Sequence, residues 1–256
     1  MSKRAKFIIV SVILACGFIG IGLLAGQYRF LGIGALSLGT LLLFAWSLWE
    51  GLGKNATLLV LLLPPLYTLG VGLFWFLLPS VILARIPIIL MYAIGMYALS
   101  LTMNIFTVSA IRTIALVRAA RGVGFVLTLF TMFLLFDAVA SWKAPVYIST
   151  LVVFLVSIVL TLQSLWSSKL STKISRKTVL LTIIVSWSIT TVSFLLYFWP
   201  VSIVVNSLFL TSTAYVLLGL SQAYEEGRLF IQTTREYLIT GALVFLAMLL
   251  VTNWRA

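Results

Sequence analysis

The chain has 256 residues, 62% hydrophobic and 9% charged, and its 17 Lys and Arg against 5 Asp and Glu give a net charge of +12. A soluble domain carries roughly a quarter charged residues, so these few cannot cover a soluble surface and the apolar residues must face lipid. The absence of histidine removes His-ligated metal sites, Ser-His and Cys-His nucleophile pairs and the HExxH motif together, and the single cysteine, Cys16, excludes an internal disulfide.

A helix needs about 20 apolar residues to cross about 30 Å of hydrocarbon. Nine stretches qualify in chain order: Phe7–Gly26, Phe30–Trp49, Thr57–Leu78, Val81–Met103, Val123–Trp142, Tyr147–Trp166, Val179–Trp199, Val201–Leu220 and Tyr237–Trp254. Runs such as LVVFLVSIVL lack the alternation of a barrel strand. The expected fold is therefore all-α, one polytopic helical domain over residues 1–256. The basic MSKRAK start suits a signal sequence, but apolar character persists past Cys16 to Gly26, beyond an h-region of about 7–15 residues. An uncleaved first span is expected. Trp49, Trp142, Trp166, Trp199 and Trp254 end five spans, where indole rings favour the headgroup level.

Orientation follows from the connections. With the N-terminus in the cytoplasm, 13 Lys and Arg fall on the inner side, and Arg29, Arg85, Lys143 and Arg255 on the outer. That bias obeys the positive-inside rule and leaves the C-terminus outside. The outer connections are short and three of four contain proline, whereas Asn104–Gly122, Ser167–Thr178 and Ser221–Glu236 form longer inner ones. Basic residues so placed suit anionic headgroups on the cytoplasmic face, and no nucleic-acid partner is expected.

In chain order, Gly22-x-x-x-Gly26 and Ala35-x-x-x-Gly39 suggest close packing of the first two spans, or a homodimer face. Pro64-Pro65 lies inside the third span and is expected to kink it. The NIFTVSAIRTIALVRAARG segment reads as an extension of the fourth span plus a short interfacial helix. Its Arg112, Arg118 and Arg121 are the candidate contacts to lipid phosphates or a docking partner. Asn55-Ala56-Thr57 matches a glycosylation sequon but falls on the cytoplasmic side and is discounted.

Asp137, in FLLFDAVASW, is the one acid well inside a span. An intramembrane carboxylate costs about 2.5–3.5 kcal/mol on insertion scales and marks a candidate site. Arg85 sits at similar depth near the outer end of the fourth span, so Asp137 and Arg85 form a candidate polar pair. The seventh and eighth spans carry Thr182, Ser186, Ser188, Thr190, Thr191 and Ser193, then Asn206, Ser207, Thr211, Ser212 and Thr213. Interhelical hydrogen bonding accounts for them, and a polar pathway is the sharper alternative.

The stretch NIFTVSAIRTIALVRAA, followed by GFVLTLFTMFLLFDAVAS, resembles uncharacterised multi-pass membrane proteins of small-genome candidate-phyla bacteria. The resemblance covers the middle of the chain and implies no activity for any residue.

The sequence thus leads to a multi-pass protein of the cell membrane, bacterial inner membrane by expectation, with no cofactor and no enzyme activity. The leading expectation is a membrane subunit or scaffold that meets lipids and a membrane protein partner through its cytoplasmic loops. The alternative is a small-solute transporter or channel using Asp137 and the polar seventh and eighth spans.

Overall fold

A computed structural model describes residues 3–24, 26–49, 52, 56–78, 82–109, 116–171 and 173–252. The described residues are helical and contain no strand: α1 (Lys3–Leu23), α2 (Gly26–Leu48), a 3₁₀ segment (Ala56–Leu61), α3 (Leu63–Leu77), α4 (Ile82–Ser109), α5 (Val117–Ser141), α6 (Val146–Lys169), α7 (Arg176–Tyr197), α8 (Ile203–Glu225) and α9 (Ile231–Val251). Among them, nine segments are long and apolar enough to cross a membrane, the 3₁₀ segment and α3 together making the third.

The described helices group into two compact units. The first takes residues 1–131 and 170–173, the second residues 132–169 and 174–256, so α5 is shared between them. In the first, α1, α2, α3 and α4 pack in succession and α4 returns to α1. Its core is aromatic, with Phe18 5.1 Å from Trp75 and 5.0 Å from Tyr92, and Tyr67 stacked on Tyr92 at 5.8 Å. Burying these rings obliges their hydroxyls to find partners. Thr68 Oγ1 lies 3.0 Å from both Tyr92 Oη and Thr40 Oγ1, and Tyr67 Oη donates to the Met91 carbonyl at 3.3 Å.

In the second unit α6 and α7 make the most extensive helix contact, α8 packs on both, and α9 lies against α8. Two serines start its helices, Ser175 Oγ accepting from Thr178 N and Ser202 Oγ from Val205 N. At the other end of α8, Gly227 adopts a φ of +70° and Arg228 N bonds back to the Ala223 carbonyl. This left-handed stop fixes Glu225 in the last turn of the helix.

Several expectations are corrected. Pro64 and Pro65 lie inside the third span but in the first turn of α3, after the 3₁₀ segment, where a missing N–H costs least. Pro87, passed over in the sequence, lies inside α4 instead. The segment 104–122 contributes six residues to α4 and six to α5, so Arg118 and Arg121 lie in the opening turns of α5, and the part between, residues 110–115, where the short interfacial helix is expected, lies outside the described residues. Helices α8 and α9 extend five and six residues beyond the apolar runs, into what reads as a loop. Trp166 is a core residue at 2% exposure, while Trp142 at 70% and Trp49 at 76% fit the interfacial belt. Trp254 lies outside the described residues. Helices α1 and α2 do touch, but at Gly17, where an added Cβ would meet Leu36, and at Gly32 against Ile21. Gly20, Gly34 and Gly39 face open space.

Candidate functional site

The second unit buries polar side chains along its whole length. On α6 they recur as Ser157, Thr161, Ser164 and Ser168, and on α7 as Thr178, Thr182, Ser186 and Thr190. Steps of three and four residues place each set on one helical face. Because α6 and α7 are joined by the short connection 170–175 and pack closely, they run antiparallel with these faces buried.

A serine or threonine inside a helix ordinarily satisfies its hydroxyl on the carbonyl four residues back. Thr182 does so on Thr178 at 2.8 Å and Thr190 on Ser186 at 2.7 Å. The hydroxyls of Ser157, Thr161 and Ser186 do not: each is fully buried and has no hydrogen-bond partner. Leaving such a group unsatisfied costs about 1–3 kcal/mol. Ser157 follows the start of α6 by eleven residues and Ser186 follows the start of α7 by ten. At 1.5 Å rise per residue both lie roughly 15–17 Å from the starts of their helices, at mid-height, and Thr161 lies about one turn from Ser157 toward the end of α6.

Polar groups continue toward both ends. At the end carrying Lys143, the Asp137 carboxylate is buried and accepts from Ser207 Oγ on α8 at 3.1 Å. Beside it opens a cavity of about 240 Å³, lined by Phe136, Ala140, Lys143, Ser193 and Asn206 among others. Positions 136, 139 and 140 of α5, Lys143 just after it, and 203, 206 and 210 of α8 face it, so Asp137 and Ser207 flank that face on their helices. Lys143 closes α5 with a φ of +49°, a left-handed conformation that lysine rarely adopts.

At the opposite end, three helices meet around Glu225. Its carboxylate is fully buried, 2.7 Å from Lys169 Nζ of α6. It also accepts from Thr178 Oγ1 of α7 at 3.2 and 3.4 Å. One turn earlier Gln222 Nε2 donates to the Ser164 hydroxyl and carbonyl at 3.0 and 3.2 Å. Next to this cluster the Lys177 ammonium lies 3.9 Å above the Tyr224 ring.

The sequence-predicted residues fall as follows. Asp137 is where the span was expected to hold it, and its partner within its own unit is Ser207, a residue noted separately among the hydroxyls of the eighth span. Arg85 belongs to the first unit, its guanidinium 5.1 Å over the Trp75 ring and its Nε buried without a hydrogen bond. Arg118 is exposed and Arg121 half-buried, and Arg112 lies outside the described residues. Glu225, Lys169 and the hydroxyls of α6 were missed, because Glu225 reads as a loop residue once the apolar run stops at Leu220. The signal was present: Leu218, Ser221, Gln222 and Glu225 keep the helical spacing past that point.

No curated protein and no solved structure matches the chain. The model of one family, described as a protein of unknown function (DUF5656), matches residues 35–251, well beyond the middle stretch that carries the resemblance. The chain belongs to that family, DUF5656.

Proposed function

We propose that the protein is a small-solute transporter or channel whose pathway runs the length of the second unit, between α6, α7 and α8. The observation that carries this is the set of buried hydroxyls without partners, Ser157, Thr161 and Ser186, at or within about one turn of mid-height of helices that read as membrane-spanning. Hydrocarbon offers such groups nothing, so a solute or water that passes them supplies the missing bonds. The cavity beside Asp137 is the entrance, and a carboxylate at each end with neutral hydroxyls between suits a small neutral or cationic solute. In this reading the protein is not an enzyme and uses no cofactor.

The charge bias puts the N-terminus in the cytoplasm, which makes the Lys143 end the outer one and the Glu225 end the inner one. Arg118 and Arg121, with Arg112, then meet anionic headgroups on the cytoplasmic face of a bacterial inner membrane. The transport reading is preferred to the scaffold expected from sequence because it gives the unpartnered hydroxyls a use.

Proteoliposome swelling tests the proposal, with glycerol, urea and potassium chloride as probes. The wild type is expected to admit at least one probe faster than empty vesicles do. Replacing the three hydroxyls by Ser157→Ala, Thr161→Val and Ser186→Ala is expected to abolish that entry while leaving the fold at least as stable, since no hydrogen bond is lost. Entry at the wild-type rate through the triple variant, or no entry of any probe with the wild type, overturns the reading.

A further inference from the structure

We propose that the Lys169–Glu225 ion pair is the gate of this pathway at the end opposite the cavity, and that the structure holds it shut; the inference rests on the transport reading above. The two ends of the second unit differ in kind. At the Lys143 end the polar column meets a cavity of about 240 Å³ between α5, α6, α7 and α8. At the Glu225 end the same helices are cross-linked side chain to side chain. Glu225 of α8 reaches Lys169 of α6 at 2.7 Å and Thr178 of α7 at 3.2 Å, and Gln222 of α8 reaches Ser164 of α6 one turn deeper. Three helices are thereby pinned around one carboxylate, directly in line with the orphaned hydroxyls of Thr161 and Ser157 on α6.

The pair is built to part on one side only. The Glu225 side chain is fully buried, whereas that of Lys169 is 36% exposed. Lysine at a helix end can swing its ammonium into water or headgroups on its flexible stem, while the carboxylate cannot leave without moving α8. Withdrawal of Lys169 leaves Glu225 buried without its counter-charge, a state relieved by admitting water or a solute between α6 and α8. The backbone prepares for this: Leu170, directly after Lys169, holds a left-handed φ of +51°, a strained conformation for leucine where a change of backbone angle releases strain. Lys177 is already held elsewhere, over Tyr224, which leaves Lys169 as the ammonium on the carboxylate.

The gate is tested by cysteine protection and needs no knowledge of the solute. In a Cys16→Ser background, Ser157→Cys places one thiol at mid-height of the column. Vesicles with the Glu225 end facing out are treated with a charged, membrane-impermeant methanethiosulfonate reagent. With the pair intact the thiol is expected to be protected. Lys169→Gln, and separately Glu225→Gln, should speed labelling at least tenfold, and the charge-exchanged Lys169→Glu/Glu225→Lys protein should regain protection. Thermal unfolding in detergent accompanies each variant, and the exchange keeps the test decisive if one single change fails to fold. Equal labelling rates in wild-type and Lys169→Gln protein overturn the gate, as does rapid labelling with the pair intact. If swelling assays find no solute entry but the protection pattern holds, the transport reading fails and the seal at Glu225 stands. If solute enters the wild type and Lys169→Gln changes neither labelling nor entry, transport stands and the gate fails.

Discussion

At the scale of single residues, the expensive groups of this chain are divided between partners that sequence spacing does not reveal. Asp137 and Arg85 look like a pair because their depths agree, yet within its own unit each has a contact of another kind, a hydroxyl for the acid and an indole face for the base. Hydrogen bonding to Ser207 and a cation–π contact are each worth about 1 kcal/mol or more when desolvated. Asp137→Asn keeps an acceptor for Ser207, and Arg85→Gln gives up the ring contact. We therefore expect their effects on unfolding in detergent to add within about 0.5 kcal/mol. A rescue of either change by the other beyond that margin would show the two acting as the pair expected from sequence. Asp137 itself was legible because a lone acid in an apolar run is conspicuous. Ser157 and Thr161 were not, because a buried hydroxyl differs from a bonded one only once its neighbours are in place.

At the scale of elements, helix existence was legible and helix ends were not. Apolar length identified all nine segments, since a bilayer imposes length more strictly than a soluble core does. The ends moved where helical spacing continued into polar residues: α8 reaches Glu225 and stops on Gly227, and α9 starts at Ile231 with Arg235 and Glu236 inside it. The third span shows the converse, its prolines starting α3 after a 3₁₀ segment instead of bending a continuous helix. Tryptophan position was an incomplete guide, because an indole near a span end fits either the interface or a helix contact. Trp166 and Trp142 separate the cases. Trp166→Ala should destabilise the protein by about 3–5 kcal/mol, as for a fully buried ring, and Trp142→Ala by less than about 1 kcal/mol. Comparable losses at the two positions would contradict the burial described above.

At the scale of the whole molecule, the sequence was legible as all-helical with nine segments apolar enough to cross a membrane, while the grouping of helices into two units has no sequence signal, because every span has similar hydropathy. The division matters for function because the unpartnered hydroxyls Ser157, Thr161 and Ser186 all belong to the second unit. Topology is checked with single cysteines at Lys173 and Pro200 in the Cys16→Ser background. An impermeant thiol reagent on intact cells is expected to label the Pro200 site and spare the Lys173 site, and the reverse would invert the orientation. The central claim, a polar pathway at mid-height between α6 and α7, is tested most directly by comparing two thiols on α7 at almost the same depth. Ser186 is fully buried, and Ile184, about 3 Å away along the axis, is exposed. Separate Ser186→Cys and Ile184→Cys proteins, in the Cys16→Ser background, are treated on intact cells with a small impermeant cationic thiol reagent. The account predicts that the Ser186 thiol reacts and the Ile184 thiol, facing lipid, does not. An unreactive Ser186 thiol, or equal reaction at both positions, would contradict it.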